Sequence, residues 1–145
     1  MQNLPHKYSV SATSGCDGNV DLTSAHLAKI ESAAPAEFGG PGDRWSPETL
    51  LVAAVADCFI LTFKAIAQGS KMDWISISCI VEGVLDRVDN VSRFTDFHLR
   101  VVLDAQPGTD EQKATRLLQK SELACLITNS LNAETHLDTE IRIGV

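Results

Sequence analysis

From Leu50 to Ala67 the chain reads LLVAAVADCFILTFKAIA, an apolar run broken only by Asp57, Thr62 and Lys64. Ser46-Pro47-Glu48 stands just ahead of it and Gly69 just behind. Serine can cap a helix, proline is tolerated where the first amide has no intrahelical partner, and an acid suits the positive end of the helix dipole. Glycine suits the far end. The spacing therefore predicts a long helix from Ser46 to about Gln68. A helix that is apolar on nearly every side must be covered on more than one side. A chain of 145 residues can wrap such a helix with a sheet, and a second copy would cover it more easily.

The same run is long enough to cross a bilayer. Asp57 and Lys64 would be costly inside one, and the flanks lack anchoring charges or aromatic girdles, so no membrane contact is expected. A net charge of -7 and a pI near 4.9 argue against nucleic acid or an anionic membrane surface as partner. With 44% hydrophobic and 21% charged residues, the chain should fold as one domain over residues 1–145. The first residues, MQNLPHKYSVSATSG, carry no charged-then-apolar export pattern. The expected location is the cytoplasm.

Around the long helix the pattern is that of strands. KYSVSAT and NVDLTSA flank Asp17-Gly18, a hairpin-turn pair, and a third short strand or loop follows through HLAKIES. AAPAEFGGPGDRW is a Gly/Pro-rich loop. In WISISCIVEGV, Ile75, Ile77, Cys79 and Val81 share a face. In RFTDFHLRVVLD, Phe97, Leu99, Val101 and Leu103 lie opposite Asp96, His98 and Arg100. Val88-Asp89-Asn90 connects the two. Thr109 with Gln112 three residues on resembles a capping box opening a second helix. ACLITNSLNA continues that helix or forms a short third one. THLDTEIRIGV closes as a strand with Leu137, Ile141 and Ile143 inward. The predicted order is βββ-α-ββ-αα-β, an antiparallel α+β fold.

Four cysteines, Cys16, Cys58, Cys79 and Cys125, and four histidines, His6, His26, His98 and His136, are scattered, with no CxxC pair and no metal-ligand spacing. No metal and no cofactor are expected. No Gly-x-Ser-x-Gly nucleophile elbow is present either.

Two segments give the scattered thiols a context. SPETLLVAAVADCF and ELACLITNSL, taken with the element order, resemble the OsmC/Ohr family (osmotically induced protein C and organic hydroperoxide resistance protein). The first looks like the family's Pro-Glu-x-Leu-Leu helix leading to a cysteine, and the second like the segment with its second cysteine. The resemblance implies an intertwined homodimer with the long helices buried between two sheets. It also implies thiol peroxidase chemistry: Cys58 attacks an organic hydroperoxide and becomes a sulfenic acid, Cys125 condenses with it to a disulfide, and a thiol reductant restores both. In part of the family that reductant is a lipoyl group on a carrier protein.

The residues themselves leave alternatives. A reactive Cys58 needs a thiolate, hence a nearby cation or directed donors; otherwise it is a small packing residue. Cys125 is either core or a thiol in contact with Cys58. Leu126 follows it where the family often has proline. Glu48 lies ten positions before Cys58, about 15 Å along a straight helix, so it serves the site from a two-fold partner or only complements the helix dipole. SGCDG puts Cys16 where many family hydroperoxidases carry an arginine. Arg44, just ahead of the helix, is the replacement, or an exposed loop charge paired with Asp43. Asp57 beside Cys58 opposes a thiolate if it points inward. Cys79 is expected in the core and Cys16 exposed at a turn. Trp45 and Phe59 either line an apolar pocket or pack. The alternative to a peroxidase is a redox-silent OsmC-like dimer that binds an apolar small molecule in a stress response.

Overall fold

The computed structural model describes residues 1–144 and runs β1 (Ser11–Thr13), β2 (Val20–Thr23), β3 (Ile30–Ser32), a short 3-10 turn (Ala36–Phe38), α1 (Pro47–Gly69), β4 (Ser76–Val88), β5 (Val91–Ala105), α2 (Glu111–Ala124), α3 (Leu126–Asn129) and β6 (Glu134–Ile143). The α+β class and the predicted order βββ-α-ββ-αα-β are both observed. The chain forms two compact units, residues 1–50 and 51–145.

In the first unit β1, β2 and β3 make an antiparallel sheet in sequence order. Gly18, at φ 90°, supplies the positive φ of the turn between β1 and β2, as Asp17-Gly18 predicts. Ser32 bridges to Trp45, which ties the Gly/Pro-rich loop to the sheet. The helix start is a reciprocal cap: the Thr49 amide donates to the Ser46 hydroxyl at 3.1 Å, and the Ser46 amide donates to the Thr49 hydroxyl at 2.8 Å. Thr49 thus takes the part that glutamate plays in the usual capping box.

In the second unit β4 and β5 form a long antiparallel hairpin. Asp89 and Asn90, at φ 51° and 62°, make its turn, since both central residues of such a turn need positive φ and Asp and Asn tolerate it. β6 departs from the antiparallel expectation: it pairs with β5 in parallel, from Asp96↔Glu134 to Ala105↔Ile143. The cause is the crossover. α2 and α3 carry the chain back to the end where β5 began, and a strand entered from that end runs in the same direction.

The core forms where α1 lies on this sheet. Val55, Phe59, Phe63 and Ala67 recur every four residues and are fully buried. They meet Phe97, Leu99, Val101 and Leu103, the inward row of β5, with Ala114, Leu117 and Leu118 of α2 closing the cluster. Each large side chain here contributes about 1.5–3 kcal/mol by leaving water. Phe63 meets Trp74 edge-on at 5.6 Å. Phe94 stacks on Phe97 at 5.3 Å.

Two further expectations are corrected. The N-cap of α2 is Asp110, whose carboxylate accepts from the Lys113 amide at 3.1 Å. Thr109 instead donates to the Gln106 carbonyl at 2.7 Å, closing the Pro107-Gly108 turn. Ile143, the last residue of β6, is exposed rather than inward, and Ile75, just ahead of β4, is exposed as well. Leu137 and Ile141 do pack against the core.

At Gly83 on β4 a Cβ would stand 2.8 Å from Val52 of α1 and 2.9 Å from the Phe94 ring. Helix and sheet approach closely here, and neither neighbour is a flexible chain end. Gly83→Val should lower the unfolding free energy by about 1–3 kcal/mol in chemical denaturation; an unchanged midpoint would mean that α1 does not press on β4.

Candidate active site

Cys58 sits in the middle of α1, one position before the fully buried Phe59, and is therefore half-buried at the edge of the core stripe. One helical turn on, the Thr62 hydroxyl lies 3.9 Å from its sulfur. Asp57 is exposed, on a face turned away from the core.

Cys125 is placed by a break in the second helical region. It is both the C-cap of α2 and the N-cap of α3, with extended backbone (φ -65°, ψ 107°). Leu126 in place of proline does not prevent the break. The Thr128 hydroxyl donates to the Cys125 carbonyl at 3.1 Å, and the Asn129 amide donates to the same oxygen at 3.0 Å, which secures the new helix start. The side chain is buried, with 1% exposure.

The fold brings these two thiols together, and both are free. Burial raises the Cys125 pKa above the ordinary thiol value; hydrogen bonds around Thr128 oppose the rise, and a hydrogen bond to Cys58 and the charge on that sulfur add to it. A hydrogen bond that raises a thiol's pKa is one in which that thiol keeps its proton and donates it. Cys125 is therefore held toward its neutral thiol form beside Cys58.

Sequence reasoning assigned Cys79 to plain core, and here it missed a neighbour. Cys79 of β4 is partly buried, and burial pushes its thiol up to about 11, with the charge of Cys125 as a further cause. Three thiols from α1, β4 and the α2–α3 junction therefore gather in one region. Only the register of β4 against the helices could have signalled this, because Cys79 alternates with serines exactly as a core residue does.

The remaining candidates lie in the first unit. Arg44, in the loop ahead of α1, is 3.4 Å from Asp43 and 3.9 Å from Glu31, and it also donates to the Asp43 carbonyl at 3.2 Å. It lines an open hollow of about 430 Å³ with Glu31, Gly42, Asp43, Trp45 and Thr49. Trp45 is 52% exposed there, whereas Phe59 is fully buried. Glu48, in the first turn of α1, has a carboxylate oxygen, Oε2, that is buried without a hydrogen-bond partner; among the described residues it is the only such side-chain atom. Cys16 is exposed at the β1–β2 turn, 3.8 Å from the Asp17 carboxylate.

This architecture and paired thiols on a core helix and a helix junction define an OsmC/Ohr-type fold. Comparison with known proteins agrees: residues 40–140 match the family described as OsmC-like protein, and the chain belongs to that family. It is 28% identical over 115 residues to the uncharacterized protein YmaD of Bacillus subtilis, covering 76% of this chain and 77% of that one. It is 29% identical over 97 residues to the peroxiredoxin OsmC of Escherichia coli, covering 67% of each. Among solved structures, an OsmC-like protein of unknown function from Vibrio cholerae superposes with a TM-score of 0.82 at 21% identity, covering 94% of this chain and 99% of that one. An organic hydroperoxide resistance protein from Elizabethkingia anophelis, with crystallant-derived thiocyanate bound, gives 0.77 at 19% identity over 99% and 100%.

The raised Cys79 pKa fixes a pH dependence. A thiol held up to about 11 is almost wholly neutral near pH 8 and gains thiolate steadily as pH rises toward that value. With intact, reduced protein at about pH 8, iodoacetamide should modify Cys16 and leave Cys79 untouched, and Cys79 modification should accelerate as pH rises toward its own pKa. Peptide mass spectrometry checks this; rapid modification of Cys79 at the lower pH would contradict it.

Proposed function

We propose that the protein is a thiol-dependent peroxidase that reduces organic hydroperoxides. The observation that carries this reading is the pair of free thiols: buried Cys125, its pKa raised by burial, beside half-buried Cys58. The peroxiredoxin name of the Escherichia coli relative and the hydroperoxide resistance name of the Elizabethkingia structure support it.

In the first step the Cys58 thiolate attacks the terminal oxygen of ROOH. The O–O bond breaks, the alkoxide leaves and is protonated to ROH, and Cys58 becomes a sulfenic acid. Next the Cys125 sulfur attacks the Cys58 sulfur. The S–O bond breaks, and the departing hydroxide takes the Cys125 proton and leaves as water. A raised pKa suits this resolving role, because the thiol does not compete for peroxide while reduced. An external dithiol then supplies two electrons, with a lipoyl carrier protein as one candidate. A reducing compartment such as the cytoplasm would provide it.

Arg44 and Glu48 complete the proposal. The buried, unpartnered Glu48 oxygen calls for a donor, and a guanidinium is the natural one. A homodimer would supply the missing cover. Only 22% of the apolar window of α1 is buried within one chain, and Leu61 is 56% exposed. A two-fold partner could cover that face and bring its own Glu48 to the site.

One observation favours a second reading, a redox-silent dimer that binds an apolar small molecule: Arg44 is already held by Glu31 and Asp43. The two readings separate on rate. Stopped-flow reduction of cumene hydroperoxide should be rapid with the wild type and fall by at least about a thousandfold in Cys58→Ser. Equal consumption by the two proteins would reject the peroxidase.

A further inference from the structure

The outward face of the second sheet carries a group of side chains that no thiol chemistry uses. His98 of β5 and His136 of β6 are direct register partners across the parallel pairing. Their rings stack at 4.6 Å between centroids, 14° from parallel. Asp96, two residues before His98 and so on the same face, places Oδ1 2.9 Å from His136 Nε2. One ligand-type atom from each of the three lies within 4.8 Å of the others.

We propose that Asp96, His98 and His136 form a binding site for a divalent transition-metal ion of the zinc type. Two imidazole nitrogens and one carboxylate oxygen are the donor set that such ions select over magnesium or calcium. Around an ion at about 2.0–2.1 Å from each ligand, tetrahedral donor atoms stand about 3.3 Å apart. The present spacing brackets that value, so rotation of two side chains closes the set. The three donors come from two hydrogen-bonded strands, which fixes their Cα positions before any ion arrives.

The surroundings favour a cation. Around the cluster Glu82 of β4 lies opposite His98, Glu134 lies opposite Asp96, and Asp138 follows His136 at the next outward position, with the guanidinium of Arg100 opposite Asp138. The 2.9 Å contact between Asp96 Oδ1 and His136 Nε2 already turns the carboxylate toward the imidazole. Binding would release any proton held between His136 Nε2 and Asp96, since each must offer a lone pair to the ion. An open hollow of about 290 Å³, lined by His98, Arg100, His136 and Asp138 among others, leaves the remaining coordination positions to water.

The test uses zinc chloride alone, titrated by calorimetry into the reduced, chelator-treated full chain. One ion per chain is expected, with affinity weakened at least about tenfold in His98→Gln and in His136→Gln. Metal-free variants should melt like the wild type, since the positions face solvent. Because the chain also holds thiols, cobalt(II) is added in parallel: no thiolate-to-cobalt charge-transfer band should appear. In the wild type, zinc should shift the ring-nitrogen NMR signals of two histidines, an outcome independent of any variant. No saturable binding, binding unaltered by either substitution, or a thiolate band at the stoichiometric point would each overturn the site.

Discussion

The packing of one face of α1 against the inward row of β5 is the constraint on which the rest of the molecule depends. Val55, Phe59 and Phe63 have no exposure, nor have Phe97, Val101 and Leu103 across from them. Interiors at this density do not slide, so the rotation of the helix about its axis is set. Cys58, one position from Phe59, is therefore fixed at the rim of the core, and Thr62 is fixed beneath it. Were the helix turned by one residue, Asp57 would take that place, and a carboxylate there would oppose a thiolate.

The second thiol reaches the first through a backbone interruption. An unbroken helix from Glu111 through Asn129 would carry Cys125 in regular helical geometry. Instead Cys125 adopts an extended conformation between α2 and α3, and its carbonyl collects the Thr128 hydroxyl and the Asn129 amide. Burial then sets the division of labour. The more enclosed thiol has its pKa raised by that burial.

Much of this was legible in the sequence, because it is written in local patterns. The capping serine, the apolar helix, the Asp89-Asn90 turn and the alternation of Phe97 through Leu103 each follow from neighbours a few residues apart. What was not legible depends on long-range geometry. The direction of β6 follows from the crossover that precedes it, and its strand pattern reads the same either way. The approach of Cys79 to Cys125 and the stacking of His98 on His136 are consequences of register, which scattered positions in a chain do not disclose. The shift of the α2 cap from Thr109 to Asp110 is local but close: two adjacent cap-competent residues compete, and the Gln106 carbonyl claims the threonine. For the candidate site, the two thiols were legible through family resemblance, while the pairing of Arg44 with Glu31 and Asp43 was only half anticipated.

The central claim is that Cys58 and Cys125 are the reacting couple, and disulfide mapping after one equivalent of cumene hydroperoxide tests it most directly. Peptide mass spectrometry of the oxidised, alkylated chain should recover a Cys58–Cys125 linkage, with Cys125→Ser leaving a trappable sulfenic acid on Cys58. A dominant bridge from Cys125 to Cys79, or all of these thiols recovered reduced, would contradict the account.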